Sequence, residues 1–334
     1  MNRAFELLRD SKRPLMLIGA GARDSIQDIL AFAHRWKIPM ETTWNAVDLV
    51  PHNDYLFVGR PGIVATRGSN KAVQECDLLL SIGARLDQPT IAYDYYKFAP
   101  KAKKVLVDID MSESLKIPNL DMFIHQDAGE FIRDLNSSPI GVSPDEWTEK
   151  CLQWKQDRLE GNSATNRLMD ELSDTLPSDA IIVMNCGCMA VNIFCAGFRN
   201  KEGQRFIMSS CGLGSMGAAI PVAIGAALAS DKPVTVIDGD GSFMMNIQEL
   251  EVVRRLNLPI TFYVINNGGY ASIRSSELRA FGRSRGEKTI PDLVKVSRAF
   301  GVEIHELIAE HDEFPIPRVM FDGRGDLGDM YPYD

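Results

Sequence analysis

The chain has 334 residues, 45% of them apolar, and a formal net charge of −9 at neutral pH. That length predicts two domains of ordinary size, each with apolar residues enough for a packed core, while the acidic balance argues against nucleic acid or an anionic membrane surface as a partner. No run of about 18 apolar residues offers a membrane span, and Met1-Asn2-Arg3-Ala4 opens a polar amphipathic segment rather than a signal peptide, so a cytoplasmic protein is expected.

From the amino end, Pro14-Leu15-Met16-Leu17-Ile18-Gly19-Ala20-Gly21-Ala22 reads as a buried strand running into a glycine turn, with Asp24 placed to cap the helix that continues through Ala33. Asp77-Leu78-Leu79-Leu80-Ser81-Ile82-Gly83 and Lys104-Val105-Leu106-Val107-Asp108-Ile109-Asp110 are further apolar runs of strand length, spaced by helix-sized segments as a parallel sheet requires. Met122-Phe123-Ile124-His125, followed by a helix from Ala128 to Leu135, completes the unit. Gly19-x-Gly21 lacks the third glycine of the dinucleotide fingerprint, because position 24 is aspartate, and is a poor nucleotide match.

Ser137-Ser138-Pro139-Ile140-Gly141-Val142-Ser143-Pro144 is short, polar and proline-bearing, and marks a boundary. The expected organisation is a first domain over 1–137, a linker and helix over 138–160, a second domain over 161–310 and an irregular tail over 311–334, both domains being doubly wound parallel sheets of the α/β class. Six cysteines, at 76, 151, 186, 188, 195 and 211, form no CxxC pair and are expected as buried reduced thiols. Cys186-Gly187-Cys188 without a partner cluster is a poor metal motif.

In the second half, Asp145 to Arg158 is predicted as an exposed helix, and Thr165 to Leu176 as another that leads into the strand Ala180-Ile181-Ile182-Val183-Met184-Asn185. A strand from Arg205 to Ser210 runs into Cys211-Gly212-Leu213-Gly214-Ser215-Met216-Gly217 and a small-residue helix from Ala218 to Ala229. Gly212-x-Gly214-x-x-Gly217 matches the dinucleotide pattern, with Asp231 or Asp238 as candidate ribose acids, but a lone match of this kind is often false.

Val234-Thr235-Val236-Ile237-Asp238-Gly239-Asp240-Gly241-Ser242-Phe243 then reads as a buried strand ending in Gly-Asp-Gly, and Ile260-Thr261-Phe262-Tyr263-Val264-Ile265-Asn266-Asn267 as a second ending in Asn-Asn. Between them Asn246 and Glu249 cap a helix whose Ile247, Leu250, Val253 and Leu256 form one apolar stripe. Asp240 and Asn267 therefore fall just past the carboxyl ends of two parallel strands, the edge at which open α/β sheets bind ligands. A carboxylate and an amide oxygen there, beside glycines that admit a ligand close to the backbone, suit magnesium carrying a diphosphate. Taken singly, Gly-Asp-Gly is an ordinary turn and Asn-Asn an ordinary cap; their joint placement around one amphipathic helix favours the site.

Gly-Asp-Gly, about two dozen residues and Asn-Asn also resembles the signature of thiamine-diphosphate-dependent enzymes, and the wording is similar to the acetolactate-synthase-like branch. The resemblance implies magnesium on Asp240, Asn267 and the main-chain oxygen of Gly269, with Gly187, Gly239, Gly241, Ser242 and the backbone near Tyr270 around the diphosphate. It also implies that the carbonyl of Gly214 accepts from the cofactor's amino group and that Met216 wedges beneath the bend between its rings, which makes the Gly212 turn a thiamine rather than a nicotinamide element. Gly83-Ala84-Arg85-Leu86-Asp87 and Val107-Asp108-Ile109-Asp110 look like the central domain of the same branch. Some members carry FAD there and others nothing, and an empty scaffold is the preferred expectation.

Three departures shape the functional expectation. Family members begin with another domain, which donates a glutamate to the cofactor's pyrimidine, and nothing here matches it. The first turn of the diphosphate-binding domain usually continues Gly-Gln-His or Gly-Gln-Asn, whereas Gly187 is followed by Cys188 and Met189. After Leu307 the family continues through another strand, whereas His311 to Asp334 is rich in proline, glycine and acid. Two readings are expected in competition: the magnesium- and thiamine-diphosphate-binding portion of a decarboxylase or carboligase for a small 2-oxo acid, inactive until a partner chain supplies the pyrimidine-binding domain, or a non-catalytic relative that associates with full-length paralogues. A homo-oligomer or such a partner complex is the expected assembly.

Overall fold

A computed structural model describes residues 2–136, 145–155, 164–186, 188–208, 213–284 and 290–308. Two compact units divide between Glu160 and Gly161. The first begins with helix α1 (Asn2–Asp10) and strand β1 (Pro14–Ile18), followed by α2 (Ile26–Trp36), β2 (Met40–Thr42), β3 (Phe57–Gly59), α3 (Arg67–Glu75) and β4 (Leu78–Ile82). It continues through α4 (Gln88–Ile91), β5 (Lys103–Asp108), β6 (Met122–His125), α5 (Ala128–Asn136) and α6 (Asp145–Trp154). The strands form one parallel sheet in the order β3-β2-β1-β4-β5-β6.

Alternation along β1 divides its side chains between two cores, as successive residues of a strand must. Met16 and Ile18 join Phe32 of α2 and Phe131 of α5 on one face, while Leu15 and Leu17 join Val73 of α3 on the other. The second face is closed by α6, whose expected exposure is not found. Trp147 and Cys151 are buried there, and the Trp147 indole donates to the carbonyl of Pro14 at 2.9 Å. The misleading signal is the acid and lysine of Asp145, Glu149 and Lys150, which dilute two tryptophans and a cysteine spaced at helical intervals.

Asp24 does not cap α2. It lies exposed inside a 3-10 turn, Ala20–Ser25, and α2 begins after Ser25 without a side-chain cap. The glycines before it have a different task. Gly19 N–H donates to Ile82 O at 2.9 Å and Gly21 N–H to Gly83 O at 3.0 Å, and a Cβ on Gly19 would stand 2.1 Å from the Gly83 carbonyl oxygen. The turn after β1 thus packs backbone to backbone on the turn after β4, where the order of the sheet reverses.

The second unit contains α7 (Ala164–Thr175), β7 (Ile181–Met184), α8 (Cys188–Gly197), β8 (Arg205–Met208), α9 (Ala219–Ala229) and β9 (Val234–Gly239). After these come α10 (Asp240–Met244), α11 (Leu250–Arg255), β10 (Ile260–Asn266), α12 (Ala271–Phe281), α13 (Leu293–Ala299) and β11 (His305–Ile308). Its sheet is also parallel, in the order β11-β10-β9-β7-β8. Val183, Val236, Phe262 and Val264 of the strands pack with Ile220 and Ala223 of α9 and Val253 of α11. The chain leaves β7 in one direction to form β8 and returns on the other side of β7 to form β9, so the sheet reverses between β7 and β9. That is where a doubly wound sheet opens a crevice. Together the two units are of the α/β class, and no helix among the described residues is long and apolar enough to cross a membrane. The stretches 137–144 and 311–334, on which the boundary and tail expectations fall, lie outside the described residues.

Candidate functional site

At the carboxyl edge of the second sheet, a cleft of about 120 Å³ is bounded by Cys186 after β7, by the turn bearing Met216, by Gly239 to Ser242 and by Asn267, Gly269 and Tyr270.

Asp240 opens α10 and is 1% exposed. Its Oδ1 accepts from Gly241 N–H at 2.8 Å and its Oδ2 from Gly269 N–H at 2.6 Å, so the carboxylate ties the end of β9 to the loop after β10. Burial pushes its pKa up; the N–H groups of Gly269 and Gly241 and the charge of Arg274 pull the other way. Each carboxylate oxygen retains a second lone pair. Asn267 is buried beside it, and its side-chain Oδ1 has no hydrogen-bond partner among the described residues. A buried acceptor left unpaired costs about 1–3 kcal/mol unless a ligand satisfies it. Gly268 and Gly269, at φ +76° and +96°, let the loop turn sharply between Asn267 and Tyr270, a conformation that β-carbon-bearing residues resist. The Gly269 carbonyl accepts from Ala271 N–H at 2.9 Å and likewise has a lone pair left.

The turn that carries Met216 is pinned to the same end of the sheet through Gly217. Gly217 N–H donates to Ser242 Oγ at 3.0 Å, and Asn246 Nδ2 donates to the Gly217 carbonyl at 2.8 Å. Ser242 Oγ also accepts from Asn185 Nδ2 at 2.7 Å, which brings β7 into the network. Over the start of α10, a Cβ on Gly241 would lie 2.9 Å from the Tyr270 ring and 3.6 Å from Met216 Cε. Gly241 therefore sits under Tyr270 and Met216. Gly214, at φ +65°, has open space where a side chain would be.

Residues 1–135 match the thiamine pyrophosphate enzyme central domain, and residues 185–315 match the thiamine pyrophosphate enzyme C-terminal TPP-binding domain. The chain belongs to the thiamine pyrophosphate enzyme family. Among its relatives, the acetolactate synthase large subunit of Corynebacterium glutamicum is 33% identical over 325 residues, 90% of this chain and 51% of that protein. The probable acetolactate synthase large subunit of Methanocaldococcus jannaschii is 30% identical over 332 residues, covering 92% and 55%. Acetolactate synthase isozyme 2 large subunit of Escherichia coli is 29% identical over 315 residues, covering 90% and 56%. The chain spans about half the length of the curated relatives it matches.

Of the residues predicted for thiamine diphosphate and its cation, Met216, Gly239, Asp240, Gly241, Ser242, Asn267, Gly269 and Tyr270 come together around one cleft. Gly214 lies two residues from Met216 on the same turn. Gly187 lies outside the described residues, as do the side chains of Cys188 and Met189. The donors at the cleft suit a hard cation: a carboxylate, an unpaired amide oxygen and a carbonyl with a free lone pair. Ser242 lines the cleft, and its hydroxyl is also an internal junction for Asn185 and Gly217. Asp238, a candidate ribose acid, is fully buried, and burial pushes it well above the ordinary carboxylate range despite the Ser242 hydroxyl and the N–H groups of Gly239 and Cys186. Asp231 stands before β9, at the opposite edge of the sheet from the cleft. Neither is placed to support the nicotinamide reading, and Gly212 itself lies outside the described residues.

Three residues of the site escape sequence reasoning. Asn185 and Asn246 act through contacts 57 and 29 residues away in the chain, which no local spacing announces. Arg274 reaches back from the first turn of α12 to the loop, and its only signal is an arginine one turn into a helix that follows Asn-Asn-Gly-Gly. Cys186 is half-buried at the cleft, whereas Cys76, Cys151 and Cys195 are buried free thiols as expected.

Proposed function

We propose that these residues are the magnesium- and thiamine-diphosphate-binding portion of an acetolactate-synthase-like decarboxylase or carboligase acting on a small 2-oxo acid such as pyruvate. The observation that carries the reading is the Oδ1 of Asn267, unpaired among the described residues and buried at the same cleft as the Asp240 carboxylate, whose oxygens each accept a backbone N–H and keep a lone pair. Magnesium asks for six oxygens in near-octahedral order and is commonly held by one or two protein oxygens together with phosphate and water. Asp240, Asn267 and the Gly269 carbonyl would hold it. Thiamine diphosphate, when bound, supplies the carbanion-stabilising chemistry that cleavage of a 2-oxo acid requires.

The chain's own residues bind and orient. Gly241, lacking a side chain, lets the Tyr270 ring and the end of Met216 pack down over the start of α10 beside the cleft, and Ser242 and Asn246 fix the turn from which Gly214 and Met216 project. A glutamate on the pyrimidine side, which the family resemblance implies for deprotonating the cofactor, is not among these residues. A pyrimidine-binding domain outside them is proposed to complete the site, from a partner chain or a longer form of this one. FAD has no supporting observation in the first unit.

The test is calorimetry of thiamine diphosphate with Mg²⁺, with EDTA, and with Asp240→Ala. Binding should require the cation and fall by at least a hundredfold in the variant, the scale of losing a charged ligand in a buried site. Equal affinity in EDTA would overturn the metal assignment. Exchange of the cofactor's C2 proton, followed by NMR, should be slow with these residues alone and fast once a pyrimidine-binding domain is added; rapid exchange without it would overturn the division of labour.

A further inference from the structure

Three backbone carbonyls lie in the turn that carries the proposed cation ligands, and each accepts a hydrogen bond, two of them from one guanidinium. Arg274 Nη2 donates to the carbonyl of Asn267 at 2.9 Å and its Nη1 to the carbonyl of Gly268 at 2.5 Å; the carbonyl of Gly269 takes Ala271 N–H. The Gly268 N–H is held in turn by Asn266 Oδ1 at 3.0 Å, and the Gly269 N–H by Asp240. What the turn leaves without a partner among the described residues is the side-chain oxygen of Asn267, while the Gly269 carbonyl, taken by a backbone N–H rather than by the guanidinium, keeps a lone pair for the cation.

We infer that Arg274 is a positioning residue that selects the cation's ligands, by engaging the Asn267 and Gly268 carbonyls so that the Asn267 side chain is the oxygen offered to the metal. This deepens the magnesium reading and rests on it. Two left-handed glycines make the turn pliable, and a pliable ring of carbonyls suits a large cation that takes six to eight oxygens at loose distances. A planar guanidinium, always charged and with its donors in a fixed fork, removes that freedom at two points. A turn with two carbonyls committed and one side chain presented suits the smaller ion with the stricter geometry. Arg274 is half-buried and anchored by its own N–H to the carbonyl of Tyr270 at 3.1 Å, so the fork is held from the same helix start that follows the turn.

The experiment uses the full 334-residue chain and titrates Mg²⁺ and, separately, Ca²⁺ in saturating thiamine diphosphate by calorimetry. Arg274→Met should weaken Mg²⁺ by about tenfold or more, the worth of charge-assisted hydrogen bonds. Ca²⁺ should weaken less, so that the preference for Mg²⁺ over Ca²⁺ shrinks. Arg274→Lys, which keeps the charge and donors without the fork, should recover part of the Mg²⁺ affinity, and this variant carries the test if the methionine variant does not fold. A merely structural role would lower both cations together and leave their ratio unchanged, and that result overturns the inference. So does an unaltered affinity in Arg274→Met while Asp240→Ala has lost the metal. If the unsubstituted chain shows no cation-dependent binding at all, the magnesium reading itself fails and takes this inference with it.

Discussion

The two sheets reverse at equivalent points, β1 beside β4 in the first unit and β7 beside β9 in the second, yet their reversal points are used in opposite ways. In the first, the turns after β1 and β4 interlock through Gly19, Gly21 and Gly83, and backbone hydrogen bonds fill the space. In the second, the turns are joined by side chains, Asn185 to Ser242, beside a cleft, and a buried oxygen on Asn267 is left unpaired among the described residues. Buried carboxyls differ in the same sense. Glu41 on β2 is fully buried with both side-chain oxygens unpaired among the described residues, and burial alone pushes its pKa well up. Asp240 has two backbone N–H groups and the charge of Arg274 to favour its anion. Topology offers a crevice twice; chemistry follows where the backbone leaves room and supports a negative charge.

The largest expected effect breaks the first reversal point. A Cβ on Gly19 would sit 2.1 Å from the Gly83 carbonyl oxygen and 2.4 Å from Ala84 Cα, both of them backbone atoms that cannot rotate away. Gly19→Ala should therefore cost about 3 kcal/mol or more in urea unfolding. Gly214→Ala, at a left-handed position with nothing within 4 Å, should cost only about 1 kcal/mol from backbone strain. If the two substitutions cost the same, the contrast between a filled and an open reversal point is wrong.

Glu41 sharpens the comparison through pH. Its folded-state pKa lies above the ordinary 4.5, so its contribution to stability is complete below that value and is lost as pH rises toward the folded pKa. Over that window the native state keeps a proton that the unfolded chain releases, at about 1.4 kcal/mol per pH unit. The nearby Cys76 and Cys151 thiols are themselves pushed up by burial and by Glu41, and stay neutral throughout. Glu41→Gln removes the ionisable group. Denaturation at pH 4, 6 and 8 should show the variant gaining on the parent as pH rises, and a constant difference would mean that Glu41 is ionised in the fold.

Apolar runs made the central strands legible, since β1, β4, β5, β7 and β9 are buried on both faces almost throughout and need no alternation to be seen, while β10 is an apolar run buried mainly on one face. Strands β2 and β3, three residues each, are too short to show a period. The ligand edge was legible because Asp240 and Asn267 are fixed by their place at strand ends. What supports them was not, because Asn185, Asn246 and Arg274 act across chain separations or turns of helix that depend on the finished packing. Asn246 shows the limit most clearly: with Glu249 three residues on, it spells a capping box, and it does stand at a helix start, but its side chain makes no cap hydrogen bond.

That gives the smallest and most discriminating prediction. As an N-cap, Asn246 would be replaced by aspartate without loss, since both are good caps and a negative charge suits a helix start. As the clamp on the Met216 turn it needs its amide N–H, which donates to the Gly217 carbonyl at 2.8 Å, and a carboxylate there would face an oxygen with an oxygen. Asn246→Asp should therefore destabilise the second unit by about 1 kcal/mol, the net worth of one hydrogen bond together with mild repulsion. It should also weaken thiamine diphosphate in saturating Mg²⁺, because the turn carrying Gly214 and Met216 is released on one side while Ser242 still holds the Gly217 N–H on the other. A variant as stable as the parent, with unchanged cofactor affinity, would restore the capping role and show that the turn does not depend on Asn246.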